Sequence, residues 1–316
     1  MSRIASLMDG RVVQYGVFPN CTGNCDFCLR ADRRELSLQD IVKSIRHIRD
    51  NLDYVDWSGQ FSHGISLLGG EVYGYDNPVY EEEFMLLIDD IIEKVLKKSP
   101  SPNCRYSTVT NGMYDPTFLY RVCDRIIEAC GIKVLDINFS YDLKYRYHTE
   151  ERRQQALANI NAFYARYNYT LGVQMILTQH VIESVNNGSF VIKDFLEKEI
   201  PGNILVFLYP HPVHTGKVLP DFFFKRLDFL NFLLYLEREH PKIYSDTVSS
   251  TYYSGIYKYG GLYDKNGPAD QAPILTDGKE LISQCGHSKL YRCYSNSNRC
   301  ILCDILKISS FARGLA

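Results

Sequence analysis

The chain has 316 residues, 45% of them hydrophobic, enough to bury one barrel-sized core or a domain with an appendage. Its formal charge of -2 leaves no basic excess for neutralising a phosphate backbone, so nucleic acid is unsupported as a partner, although a local basic patch is not ruled out. Residues 1–20 lack the apolar core of a secretory signal and no later run nears the roughly 18 apolar residues of a membrane span, so a cytoplasmic protein with no membrane partner is expected. In that compartment its ten cysteines serve metal binding or catalysis better than disulfides.

Along the first two thirds, short β-branched or aromatic runs alternate with longer amphipathic segments, the pattern of βα units and a parallel sheet. Six strands are expected, at Arg11 to Asn20, Gly64 to Glu71, Cys104 to Thr110, Val134 to Ser140, Thr170 to Thr178 and Asn203 to Tyr209, each followed by a helix. Helix starts are marked by Ser37 with Asp40, and by Asn77-Pro78 and Asp115-Pro116, which pair an N-cap with proline at the first helical position. Past Pro220 a helical stretch, Asp221 to His240, gives way to a Tyr- and Gly-rich segment and then to more cysteines. Two units are therefore expected, residues 1–220 and a C-terminal appendage of residues 221–316. No low-complexity tract or internal repeat interrupts them.

Directly after the first strand, Cys21-Thr-Gly-Asn-Cys25-Asp-Phe-Cys28 sets three thiols within eight residues. Three thiolates hold three corners of a cubane cluster and leave the fourth iron open to a substrate, whereas structural zinc closes its tetrahedron with a fourth ligand nearby. In a parallel barrel, functional groups gather at the carboxyl ends of strands. The second strand ends in Gly69-Gly70-Glu71, where glycines permit close backbone approach and a carboxylate can hold an ammonium group. The third ends in Thr110-Asn111-Gly112, which also reads as an ordinary turn. The fourth ends in Asn138-Phe139-Ser140-Tyr141-Asp142, with Asp142 suited to capping the next turn. After the sixth come His211 and His214, either general bases or plain solvated loop residues.

Near the C-terminus Cys285, Cys293, Cys300 and Cys303 supply four thiolates, enough for a zinc site or a second cluster. Cys104, Cys123 and Cys130 read as buried small hydrophobes. The appendage tyrosines, Tyr252, Tyr253, Tyr257, Tyr259 and Tyr263, read as hairpin packing ahead of a substrate pocket.

The cysteine spacing after the first strand, with Phe27 before the third cysteine, resembles the radical S-adenosylmethionine superfamily. Gly69-Gly70-Glu71 and Thr110-Asn111-Gly112 resemble its GGE and TNG motifs, and the last four cysteines resemble a shortened SPASM or twitch appendage. The resemblance covers roughly residues 11–220 and 285–303. It implies an α/β fold with a partial (βα)6 TIM-type barrel, a 4Fe-4S cluster on Cys21, Cys25 and Cys28, and S-adenosylmethionine contacted by Gly69, Gly70, Glu71, Asn111 and Ser140. It implies cleavage of S-adenosylmethionine to a 5'-deoxyadenosyl radical that takes hydrogen from a peptide, protein, nucleotide or nucleobase, with a reductant such as flavodoxin or ferredoxin. The C-terminal cysteines would hold a second 4Fe-4S cluster, or zinc. An iron-sulfur electron carrier or a zinc-stabilised binding protein is the competing expectation.

Overall fold

The computed structural model describes residues 13–17, 20, 21, 23, 25, 26, 36–54, 57, 64–208, 221, 224–252, 274–276 and 279–281. The six strands are β1 (Val13–Gly16), β2 (Gly64–Leu68), β3 (Arg105–Thr110), β4 (Leu135–Tyr141), β5 (Gly172–Ile176) and β6 (Ile204–Leu208). Five lie inside the expected runs, and β4 extends one residue past Ser140. Between them come α1 (Leu38–Asn51), α2 (Pro78–Ile91), α3 (Thr117–Cys130), α4 (Glu150–Tyr167) and α5 (Gln179–Asn186), with a π-helical turn at Phe195–Glu199 before β6.

The starts follow local chemistry. Ser37 Oγ accepts from the Asp40 amide at 3.2 Å and donates to the Asp40 carboxylate at 2.7 Å, a reciprocal cap. Asn77 Oδ1 accepts from the amides of Val79 and Tyr80 ahead of Pro78. Asp115 accepts from the Thr117 amide at 2.9 Å, so α3 begins just after Pro116 rather than on it.

All six strands pair in parallel and in sequential order, β6-β5-β4-β3-β2-β1. Right-handed crossovers between neighbouring parallel strands carry every connecting helix to the same face. Burial agrees: Tyr106, Thr108 and Thr110 of β3 and Ile137, Phe139 and Tyr141 of β4 are buried, whereas Ser107, Val109, Asn138 and Ser140 between them are half-exposed. The chain is thus an α/β protein wound on one side, an arrangement compatible with a partial barrel. Its core lies between sheet and helices, where Ile45, Phe84, Ile88, Leu119, Ile126, Ile160 and Phe163 are fully buried. Each contributes about 1.5–3 kcal/mol of hydrophobic stabilisation. Cys104 and Cys123 sit buried in the same core, and burial pushes the Cys123 thiol well above its ordinary pKa.

The first helices after residue 221 pack against that core. Helices α6 (Arg226–Glu239) and α7 (Pro241–Tyr252) pack against α5 and β6, with Phe232 and Phe207 rings 5.3 Å apart. Phe229, Leu236 and Ile243 complete the contact. Two further strands, β7 (Ile274–Thr276) and β8 (Lys279–Leu281), extend the sheet: β7 lies parallel to β1, and β8 antiparallel to β7. Among the described residues no helix is long and apolar enough to cross a membrane.

Candidate functional site

The loop that follows β1 is closed at its mouth by one side chain. Asn20 donates through Nδ2 to Leu36 O at 3.3 Å and accepts at Oδ1 from Leu36 N at 2.9 Å. Three bonds then fasten the loop to three strand ends. Asn20 O accepts from the Glu71 amide after β2 at 2.9 Å, Cys21 Sγ accepts from Asn111 Nδ2 after β3 at 3.5 Å, and the Asp26 amide donates to Tyr145 O after β4 at 3.2 Å. Gly23 N also donates to Cys21 Sγ, at 3.2 Å. Cys21 is exposed and Cys25 is buried; Cys28 lies outside the described residues.

Gly69 and Gly70 sit half-buried at the end of β2, but the Glu71 side chain turns away from the loop they open. It is 2% exposed. Its Oε1 accepts from Thr110 Oγ1 at 2.9 Å and the Tyr73 amide at 3.3 Å, and its Oε2 accepts from the Asn111 amide at 2.7 Å. Engaged in this way, the carboxylate ties the end of β2 to the end of β3. Burial lifts its pKa from 4.5 to about 7, against the three hydrogen bonds and the Arg146 charge, which favour the carboxylate.

The turn after β3 is held from both sides. Asn111 Oδ1 accepts from the Met113 amide at 2.8 Å, and Asn159 reaches up from α4 to donate to Gly112 O at 2.8 Å and Tyr114 O at 2.7 Å. Gly112 has φ +69°, and a Cβ there would also press on the Phe139 ring at 3.1 Å, so glycine is required.

After β4, Asp142 caps its own turn by accepting from the amides of Lys144, at 2.8 Å, and Tyr145. Burial raises its pKa in spite of those bonds. The turn brings Arg146 beside the cysteine loop. Burial opposes the guanidinium charge, yet Cys25, Tyr147, Asp142 and Cys21 around it hold its pKa above the usual arginine value. Tyr145 OH and Lys144 Nζ both bond Asp221, tying this loop to the segment after β6. Ser140 lies on the half-exposed sheet face in register with Gln174, and its carbonyl accepts from Tyr147 OH at 3.1 Å.

The structure therefore brings together Cys21, Cys25, Gly69, Gly70, Asn111 and Ser140 at one end of the sheet. Arg146, Asn20 and Asn159 were not anticipated. Cys285, Cys293, Cys300, Cys303, His211 and His214 lie outside the described residues, as do the appendage tyrosines other than Tyr252. Among the described residues no three His, Cys, Asp or Glu side chains form a metal-ligand group. The donors that are described fit a thiolate-bound metal: two cysteines close to a cation, one of them receiving two N–H groups at sulfur. No family model matches the chain, and no curated protein matches it.

Proposed function

We propose that the chain is a cytoplasmic radical S-adenosylmethionine enzyme on a partial (βα)6 barrel. The observation that carries this reading is the fastening of the cysteine loop to the carboxyl ends of β2, β3 and β4, beside Gly69-Gly70 and Ser140. Cys21, Cys25 and Cys28 are the ligands of a 4Fe-4S cluster in this reading, and Gly69, Gly70, Glu71, Asn111 and Ser140 meet S-adenosylmethionine. What a cluster bound there supplies is the electron for reductive cleavage of the sulfonium, with hydrogen abstraction from a substrate as the result.

The remaining work belongs to the chain's own residues. Arg146 sets a positive charge beside the thiolates and so lowers the cost of gathering them. Glu71, Thr110 and Asn159 keep the strand ends beneath the loop from shifting. On the open sheet face, Ser107, Asn138, Ser140 and Gln174 offer hydrogen-bonding groups suited to a peptide or a nucleotide. His211 and His214 would move protons, and a flavodoxin or ferredoxin would deliver electrons. Cys285, Cys293, Cys300 and Cys303 hold a second cluster in this reading, with zinc as the alternative.

The test is anaerobic reconstitution followed by incubation with S-adenosylmethionine and dithionite. The wild type is expected to bind iron and sulfide and to release 5'-deoxyadenosine, and Cys21→Ala, Cys25→Ala and Cys28→Ala variants to release none. Iron bound without any 5'-deoxyadenosine would make the protein an electron carrier; zinc alone would make it a metal-stabilised binding protein.

A further inference from the structure

We infer that Asn111 is a positioning residue for the Cys21 sulfur, a fixed hydrogen-bond donor that sets the reduction potential of the metal centre bound there, and not a contact to S-adenosylmethionine. The inference rests on the cluster-binding reading above. It departs from it in moving Asn111 from the cofactor to the cysteine.

The orientation of the amide decides the matter. Asn111 Oδ1 accepts from the Met113 amide at 2.8 Å, which leaves Nδ2 facing Cys21 Sγ at 3.5 Å. A flipped amide would set N–H against N–H at Met113 and oxygen against sulfur at Cys21, two repulsions in place of two bonds. The backbone beneath it is equally fixed. The Asn111 amide donates to Glu71 Oε2 at 2.7 Å, Asn159 holds the next carbonyl, and the side chain is 4% exposed. Gly23 completes the fit from the loop side. A Cβ there would lie 3.1 Å from Met113 Cε and 3.4 Å from both Asn111 Nδ2 and Cys21 Sγ, so loop and turn meet in close contact at this residue. Its own N–H supplies the second donor to the same sulfur.

An N–H donor at a ligating sulfur draws off electron density and favours the more negative, reduced state of the centre, which raises its potential. Removing the Asn111 donor therefore shifts the potential to more negative values and makes reduction harder.

The experiment compares the reconstituted full-length wild type with Asn111→Ser and Asn111→Asp. Both replacements keep an oxygen able to accept from the Met113 amide, and both remove the Nδ2–H group that reaches the sulfur; the serine hydroxyl is one bond shorter than that amide nitrogen. Iron and sulfide content, midpoint potential by redox titration followed by electron paramagnetic resonance, and S-adenosylmethionine affinity are measured on each. Wild-type iron content and affinity, with the potential more negative in Asn111→Ser and lower again in Asn111→Asp, support the inference. Unshifted potentials in loaded variants overturn it, as does a tenfold or greater loss of S-adenosylmethionine affinity at an unshifted potential. Folded variants that no longer hold iron would also overturn it, by showing that the side chain only builds the site. A wild type that binds no iron with all three cysteines present would instead bring down the cluster-binding reading, and this inference with it.

Discussion

Two buried carboxylates stand at the same end of the sheet, and they are used in opposite ways. Glu71, after β2, spends its oxygens across the sheet, on Thr110 and on Asn111 forty positions away. Asp142, after β4, turns back on the amides of its own loop, two and three positions on. Burial raises the pKa of both. The first couples strand ends to one another; the second shapes one turn and, through it, aims Arg146 and Tyr145 at the cysteine loop. A tertiary tie and a local tie carry different energetic weight, because losing the first leaves buried donors with no water to replace the acceptor.

The largest expected effect follows. Glu71→Ala should cost about 4 kcal/mol in urea unfolding, since the Thr110 hydroxyl and two buried amides lose their acceptor together. The pH dependence comes next. With a pKa of about 7 when folded and about 4.5 when unfolded, the Glu71 carboxyl binds more protons in the folded state throughout that interval. Its contribution to stability is therefore complete below pH 4.5 and is lost as the pH rises through 7, a change of about 3 kcal/mol. Unfolding curves of wild type and Glu71→Gln across this range should differ in slope, the variant being flatter; parallel curves would show that Glu71 ionises normally.

Asn159→Ala is expected to cost about 2 kcal/mol by leaving Gly112 O and Tyr114 O without their donor. Hydrogen exchange should quicken in the turn after β3 and not in the turn after β4. The smallest effect belongs to Asp142: replacement by Asn keeps an oxygen acceptor and should cost less than about 1 kcal/mol, and replacement by Ala about 1.5 kcal/mol. Were Asp142→Ala as damaging as Glu71→Ala, the distinction between the two carboxylates would collapse.

Much of the frame could be read from the chain before any coordinates. Period-two runs located all six strands, and Ser37 and Asn77 announced α1 and α2, because caps and alternation are local chemistry. The change in composition past residue 221 is visible in the sequence, but α7 over residues expected to be Tyr- and Gly-rich chain is not, nor is the packing of Phe232 on Phe207 of a distant strand. The same limit hid Arg146. An arginine four positions past Asp142 carries no spacing signal; only the fold of the turn brings it to the cysteines. Asn159 did leave a trace, a polar residue on the same helix face as Ala156, Ile160 and Phe163, all buried. Gly69-Gly70-Glu71 was found by pattern, but the inward turn of its carboxylate depends on Thr110 and Asn111, which a tripeptide cannot report.

The pairing of β7 with β1 has a consequence in time. The strand that launches the cysteine loop gains its second neighbour only from residues 274 to 276. A ribosome adding about 5–20 residues per second makes the stretch between Gly16 and Ile274 in roughly ten seconds to a minute. For that interval the strand before the cysteine loop is an open sheet edge, so its backbone is open to pairing with another chain for seconds before β7 seals it.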